Sequence, residues 1–315
     1  MLELYELMVA AGWNVRVVLP SSQKSWSGTN YSVSSAHVRY WYYYPLKDNF
    51  LGSFPGTDAC WSNTRRPIDY ARGEVGEWVL VDGTPSTCTN VGLFTGDELF
   101  GVPCTIDLVV SGPNFGRNTG TAFSVSSGTL GAALAGSLSS VRSVAISYAH
   151  FTKNPPTRAG RVEGPALSRE TFAALARRAS GFCVQILQQL WDAWDQESDV
   201  QAYSINVPIA ETLYEPRLYW THFWHSRHVQ LYPLPTAADG ANRVLPSGVP
   251  SSNVPVPSEG SYLAFRPNLV KAMCPDELEE GTDVWAVTHG YISISRVVAS
   301  FSQTGAYDRP LPKIV

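Results

Sequence analysis

The segment that decides the fold of this chain reads Ile-Asp-Leu-Val-Val-Ser-Gly-Pro-Asn-Phe-Gly-Arg-Asn-Thr-Gly over residues 106–120 and Ser-Gly-Thr-Leu-Gly-Ala-Ala over residues 127–133. Residues 106–110 form an apolar run that is typical of a buried strand. After a loop rich in Gly, Asn and Ser, small residues predict a helix over 129–138, and a second strand follows over 141–147. The order strand, loop, helix, strand predicts an α/β fold with a doubly wound, mostly parallel sheet in three layers.

The N-terminal residues predict a helix that leads into a strand. Leu4, Leu7, Met8 and Ala11 recur at helical spacing before Gly12, and a β-branched strand over residues 14–19 is closed by Pro20. A helix that feeds a parallel strand normally follows an earlier strand, because βα units alternate. The sequence therefore predicts that the first strand of the sheet is missing ahead of this helix.

The remaining pattern fits one domain over residues 1–315. Apolar runs predict strands over 77–81, 201–207 and 291–297, a turn over 82–85 precedes a helix, and a long amphipathic helix is expected from its N-cap Ser168 to Trp194. Residues 36–50 look aromatic and irregular, and residues 51–76 look like a loop, so we treat 36–76 as an insertion. The Pro-, Ser- and Gly-rich residues 232–260 predict a projecting C-terminal β arm or extended loop.

Composition excludes several classes of function. The net charge of −4 argues against a nucleic-acid polymer as a partner, since such proteins carry clustered Lys and Arg, although a small phosphate ester needs only a local site. Five cysteines without a Cys-x-x-Cys pair indicate free thiols in a reducing compartment. The absence of a long apolar run and of a basic secretory leader favours a cytoplasmic protein that does not interact with membranes.

The loop after the strand at 106–110 has the chemistry of an anion or cation site. Its glycines allow close approach of the backbone to a ligand, and Asn114 and Asn118 offer neutral oxygen ligands for a hard cation. Ser127, Gly128 and Thr129 start a helix whose free N–H groups favour phosphate. The alternative is an ordinary Gly- and Asn-rich turn.

At these residues the chain resembles the SurE family of phosphatases and nucleotidases. Residues 107–120 together with 127–133 are similar to the family signature. Shorter segments that are also typical of the family appear in the expected order along the chain at 17–28, 82–88, 203–208 and 282–294. The segment Lys-Ser-Trp-Ser-Gly at 24–28 is similar to sequences of a eukaryotic branch in which the SurE domain is often joined to a tubulin–tyrosine-ligase-like domain. The resemblance implies a Rossmann-like SurE fold.

The resemblance also implies an activity and a set of site residues. SurE proteins hydrolyse phosphate monoesters, often nucleoside monophosphates, with one divalent cation such as Mg²⁺ or Mn²⁺, and they commonly form homodimers. By motif matching, Ser25 (or Ser27 in an alternative register) and Asn114 are the metal ligands, and Asn114, Ser127 and Thr129 are the catalytic residues. The phosphate-binding residues by the same matching are Gly112, Gly116, Asn118, Ser127, Gly128 and Thr129.

The chain departs from the family at the acidic metal ligands. The family motif Asn-Asp-Asp-Gly ends the first strand, and this sequence contains no Asp-Asp pair. Serine and asparagine oxygens alone make a poor site for a hard dication, because carboxylates must offset its dehydration. Two functions therefore stay open, a metal-dependent phosphomonoesterase and a catalytically inactive SurE-like fold that at most binds phosphate.

Weaker signals have ordinary structural explanations. His222, His225 and His228 are zinc-ligand types, but an aromatic-rich surface segment is the favoured interpretation. Asp82 is explained by the Asp-Gly-Thr-Pro turn and Asp283 by entry into the closing segment, so neither is expected to act as a base.

Overall fold

The computed structural model describes residues 1–33, 37–47, 60–149, 168–194, 199–232, 263, 265 and 278–300. The α-helices in this part of the chain are α1 (Leu2–Ala10), α2 (Pro85–Phe94), α3 (Gly96–Phe100), α4 (Thr121–Ser126), α5 (Gly128–Leu138), α6 (Arg169–Ala193) and α7 (Asp283–Thr288). The strands are β1 (Val17–Pro20), β2 (Tyr40–Tyr43), β3 (Trp61–Ser62), β4 (Trp78–Val81), β5 (Leu108–Phe115), β6 (Arg142–Ala149), β7 (Ala202–Pro208), β8 (Leu218–Thr221) and β9 (Ile292–Val297).

The strands form two sheets that share an α/β architecture. One sheet has the order β1-β4-β2-β3 and the other β5-β6-β7-β9-β8. β1 pairs parallel with β4, and β5, β6 and β7 are parallel neighbours, whereas β7 and β9 are antiparallel. The parallel β5–α5–β6 unit confirms the predicted doubly wound class, with strands divided between two sheets.

Helices cover both faces of the strands. The main core joins α1 and α6 to β6, β7 and β9, and its buried members include Leu4, Ile146 and Leu187. On the opposite face, α2 packs against β1 and α5, and α5 packs against β5 and β6. This is the expected three-layer arrangement, because each parallel strand is shielded by a helix on either side.

Local sequence signals for helix ends are confirmed. Ser168 caps α6 by accepting a hydrogen bond from the Thr171 amide, and Thr84 caps α2 in the same way from Thr87, with Pro85 in the first turn. Gly12, just beyond α1, has a φ of +91°. In the described part of the chain, no helix is long and apolar enough to cross a bilayer.

The chain path differs in three places from what the sequence predicted. Tyr40–Tyr43, predicted to be irregular, is strand β2 and pairs with β4, as aromatic side chains favour a half-buried pleated surface. β5 continues through Phe115 and α4 follows, so much of the predicted loop is regular structure. β8 was not anticipated. The predicted arm lies outside the described residues except for Tyr232.

A gap separates the two sheets between β1 and β5. Every residue of β1 is only half-buried, whereas every residue of β4 is buried. A cavity of about 720 Å³ lies between the two strand edges and is lined by both strands, by α1 and α6, and by α2 and α5. Among the described residues no strand pairs with these two edges. The gap lies where the sequence predicts a missing strand.

Candidate functional site

Loops at the carboxyl ends of the strands form the candidate site. The serine loop, residues 21–30, follows β1, and the glycine loop, residues 112–120, comprises the end of β5 and the turn into α4. Ser147 and Asn206 lie near the carboxyl ends of β6 and β7 and pair with one another in register. In doubly wound folds this edge of the sheet is where ligands bind.

Asn114 is held in place by Asn118. The Asn118 Nδ2 donates hydrogen bonds to Asn114 Oδ1 at 3.0 Å and to Ser147 Oγ at 2.8 Å. A side-chain amide has two N–H donors, so both are used. Asn118 therefore has no donor left for phosphate, and the geometry favours a role in orienting Asn114 over the phosphate contact expected from the resemblance.

Asn206 holds Asn118 in turn, and sequence reasoning did not identify it as a site residue. Its side chain is 1% exposed. Its Oδ1 accepts from the Asn118 amide at 2.9 Å, and its Nδ2 donates to the Asn118 carbonyl at 3.4 Å. The available signal was the Asn-Val-Pro landmark at the end of β7, which marked the family but gave no partner for the asparagine.

The backbone conformation and packing of β5 explain the glycines at positions 112 and 116. Gly112 has a φ of +108°, and a Cβ there would lie 2.2 Å from the Ile146 carbonyl oxygen. The Gly116 amide donates to the Tyr148 carbonyl at 3.0 Å. β5 can approach β6 this closely only with glycine at position 112, whereas Gly116 is favoured by its φ of +146°. Phosphate contacts by Gly112 and Gly116 stay predictions, and the Gly116 amide is already engaged.

The first turn of α5 has the chemistry of an anion site. Ser127 is its N-cap and accepts from the Leu130 amide at 3.1 Å. The amides of Gly128 and Thr129 lie in the first turn and have no partner within the helix. Those N–H groups and the positive end of the helix dipole favour a phosphate group.

The serine loop packs directly against this turn. The Gly28 amide donates to the Ser126 carbonyl at 3.0 Å, and a Cβ on Gly131 would lie 2.0 Å from the Gly28 carbonyl oxygen. A Cβ on Gly128 would lie 2.6 Å from Ser27 Oγ. The serine loop and the start of α5 are therefore one continuous surface.

Of the two candidate serines, the structure favours Ser27. Its Oγ is shielded from solvent and has no hydrogen-bond partner among the described residues. Ser25 is exposed, and its Oγ accepts from Gln23 Nε2 at 2.9 Å. A buried hydroxyl without a partner at a helix N-terminus is suited to a bound ligand. Ser25 as a metal ligand stays a prediction.

Asn114 and Thr129 line the same cavity, the one between β1 and β5. The glycine loop and the first turn of α5 therefore face a common space at its carboxyl end. That Ser25, Asn114 and the Ser127–Thr129 turn converge on one pocket stays a prediction, since Ser25, Ser127 and Gly128 are not among the lining residues.

The described residues do not supply a carboxylate site for a metal ion. No group of three or more His, Cys, Asp or Glu side chains is clustered in this part of the chain. Asp82 is half-exposed and lies 3.6 Å from Lys24 Nζ. His222 is exposed and lies 3.9 Å from Glu279, so the described histidines do not form the zinc site considered above. Neutral Asn and Ser oxygens alone do not fit Mg²⁺ or Mn²⁺.

Asp283 is the one site-proximal carboxylate that the described structure buries completely, at 0% exposure. Burial raises its pKa to about 6, against the lowering effect of the hydrogen bonds that it accepts from the amides of Trp224, Gly120 and Val284. It points into backbone and lies apart from the cavity lining. Its oxygens are engaged by three backbone amides, and the expectation that it is not a general base stays a prediction.

Fold and candidate site together define an α/β protein in which a glycine loop and a helix N-terminus meet at the carboxyl edge of the sheet. The sequence profile of the family described as survival protein SurE matches residues 1–230. The chain belongs to the SurE family.

Similar proteins agree with this assignment. The probable tubulin–tyrosine ligase PBY1 of Saccharomyces cerevisiae is 30% identical over 230 residues, covering 70% of this chain and 28% of the yeast protein. The 5′-nucleotidase SurE of Pelotomaculum thermopropionicum is 27% identical over 217 residues, covering 69% and 63% of the two chains. The matches therefore span less than two thirds of either relative.

A solved structure supports the fold. The SurE protein from Aquifex aeolicus superposes with a TM-score of 0.51 at 20% identity, covering 95% of this chain and 88% of the other. At this identity the likeness concerns the fold alone. The yeast relative also agrees with the predicted similarity to the branch found with tubulin–tyrosine-ligase-like domains.

Proposed function

We propose that this chain binds the phosphate group of small phosphate monoesters, such as nucleoside monophosphates, and that it is the scaffold of a SurE-type phosphomonoesterase. The observation that carries the proposal is the first turn of α5, where the amides of Gly128 and Thr129 and the shielded hydroxyl of Ser27 lie together. A 5′-nucleotidase SurE among the relatives supports the substrate class.

The residues have distinct parts in this proposal. The Gly128 and Thr129 amides bind phosphoryl oxygens, and Ser127 keeps those amides in place by capping the helix. Asn114 presents its Oδ1 at the cavity in an orientation fixed by Asn118. An amide held in this way needs little reorganisation when a ligand arrives.

The divalent cation implied by the family belongs to the catalytic part of the proposal. When bound, such a cation polarises a phosphoryl group. The candidate ligands at the site, Asn114 and the serines, supply only neutral oxygens. They do not fit the cation without additional carboxylates. Hydrolysis by this chain therefore depends on acidic ligands beyond those described. A cytoplasmic homodimer stays a prediction.

One observation favours the second candidate, a SurE-like fold that binds phosphate without hydrolysing it. Among the described residues, Asp82 lies beside Lys24, and Asp283 is engaged by backbone amides. Neither belongs to a described cluster of carboxylates that could hold a cation. The phosphate-binding part of the proposal is common to both candidates.

Binding of inorganic phosphate tests that common part. Gly128→Ala is expected to weaken phosphate binding by about tenfold, because the new Cβ meets Ser27 Oγ and pushes the serine loop off the helix turn. The same substitution at Gly181, where a Cβ meets nothing within 4 Å, is the matched control and should leave binding unchanged. Isothermal titration calorimetry with phosphate, and chloride as a competitor, measures both.

Two outcomes would contradict the proposal. Wild-type protein that shows no saturable phosphate binding would remove the anion site. Equal affinities of wild type and Gly128→Ala would place any bound phosphate away from α5.

A further inference from the structure

Helix α4 begins without a cap of its own, and distant residues satisfy its first amides. Gly120 is its N-cap residue, with a φ of +75° and no side chain to accept a hydrogen bond. The Thr121 amide donates to the Trp224 carbonyl at 2.9 Å, and the Ala122 amide donates to Ser226 Oγ at 2.9 Å. The segment from residue 222 to 226 therefore replaces the missing cap.

Asp283 completes this arrangement from a third part of the chain. Its Oδ2 accepts from the Gly120 amide at 2.7 Å, and its Oδ1 accepts from the amides of Trp224 at 2.9 Å and Val284 at 2.8 Å. One buried carboxylate thus connects the end of the glycine loop, the 222–226 segment and α7.

The chemistry of the three partners explains why this residue is an aspartate. All three are N–H donors, and an ionised carboxylate is a pure acceptor with two oxygens. An asparagine has one acceptor oxygen, which would stay with the two amides of Trp224 and Val284. Its NH₂ group would then face the Gly120 amide, donor against donor, and would release the glycine loop at that point.

Gly120 lies between the two parts of the candidate site, which are the Asn114–Asn118 pair and the first turn of α5. On one side, Ser124 Oγ donates to the Asn118 carbonyl at 3.2 Å, and Asn118 orients Asn114. On the other side, α4 ends at Ser126, next to the Ser127 cap of α5. A shift of Gly120 is therefore transmitted to Asn114 and to the phosphate-binding turn.

We propose that Asp283 is a positioning residue that fixes the glycine loop and α4, and thereby sets the geometry of the phosphate site. This inference rests on the proposed function for its ligand. The titratable group that faces Asp283 is His222, whose carbonyl accepts from the Asp283 amide and whose ring lies near Glu279. Among the described residues, neither His222 nor Glu279 has a hydrogen bond to the glycine loop.

Hydrogen exchange of the full chain, followed by mass spectrometry, tests the inference without a ligand. Asp283→Asn is expected to speed exchange in residues 112–127 by about tenfold, while β7 keeps its wild-type protection. The control is Thr288→Ala, also in α7. Thr288 is buried, and its hydroxyl has no hydrogen-bond partner among the described residues. This variant should leave residues 112–127 unchanged.

Phosphate affinity is the second readout, because a purely structural role would not alter it in a folded variant. Asp283→Asn should weaken inorganic phosphate binding by about tenfold at an unchanged exchange rate in β7. A folded Asp283→Asn protein with wild-type exchange in residues 112–127 would overturn the inference. Faster exchange there with unaltered phosphate affinity would overturn the positioning role.

A second variant decides the case if Asp283→Asn does not fold. Asp283→Glu keeps the carboxylate but lengthens the side chain by one methylene, so its oxygens can no longer keep all three amide contacts of 2.7 to 2.9 Å. Faster exchange confined to residues 112–127 supports the inference, and unchanged exchange overturns it. If the wild type binds no phosphate, the proposed function fails, and the exchange result still decides whether Asp283 holds the loop.

Discussion

Adding an apolar strand that ends in Asn-Asp-Asp-Gly ahead of Leu2 is expected to raise Mg²⁺- or Mn²⁺-dependent hydrolysis of phosphate monoesters by roughly 100-fold or more over the 315-residue chain. The 315 residues alone should show little metal-dependent turnover. The reason is electrostatic, since Asn114 and Ser27 offer neutral oxygens and a hard cation needs carboxylates. Phosphate release from p-nitrophenyl phosphate and from nucleoside monophosphates, with and without metal, measures the difference.

The fold has space for such a strand. β1 and β5 present facing edges across a cavity of about 720 Å³. α1 leads into the parallel strand β1, as in a βαβ unit, where right-handed connections are the rule. A strand parallel to β1 and β5 would end at the edge where Asn114 and Thr129 lie. Its terminal carboxylates would then reach the phosphate site.

The matched control carries Asn-Ala-Ala-Gly at the end of the same strand. It should fill the gap equally well and raise the thermal midpoint of unfolding as much as the acidic version, yet remain inactive. This comparison separates the effect of completing the sheet from the effect of the carboxylates. Strong metal-dependent turnover by the 315-residue chain would contradict our account, and would indicate that another carboxylate, for example Asp82, holds the metal.

The central α/β unit was predictable because its signals are local. An apolar β-branched run gives β5, small residues give α5, and Ser168 is a recognisable cap for α6. The gap beside β1 was also predictable, because α1 precedes a strand of a parallel sheet. In each case a few neighbouring residues determine the structure.

The aromatic strand β2 was missed because its signal is not local. Tyr40–Tyr43 lacks clear alternation, and its position depends on pairing with β4. β8 was missed for the same reason, as four residues with two exposed large side chains carry little periodic signal.

The supports of the site could not be assigned from sequence. Asn206 lies 88 residues from Asn118, and Asp283 lies 163 residues from Gly120. A buried polar residue can be recognised as needing a partner, but the partner is known only once the chain has folded. Sequence reasoning therefore proposed residues for contact with a ligand, but it could not assign Asn206 and Asp283 as supports of the loop.

In the strand-bearing protein, Asn114→Ala is expected to lower kcat/KM for phosphate monoesters by at least about 10- to 100-fold. Asn114 lines the cavity, and its side-chain amide is already oriented by Asn118, so the substitution removes an oxygen without disturbing the strand pairing of β5 with β6. If this oxygen binds the metal, the metal concentration for half-maximal activity should rise in parallel. Asn90→Ala, at an exposed position of α2, is the matched control and should behave as wild type. An Asn114→Ala enzyme with an unchanged metal requirement and unchanged kcat/KM would show that this asparagine only shapes the loop.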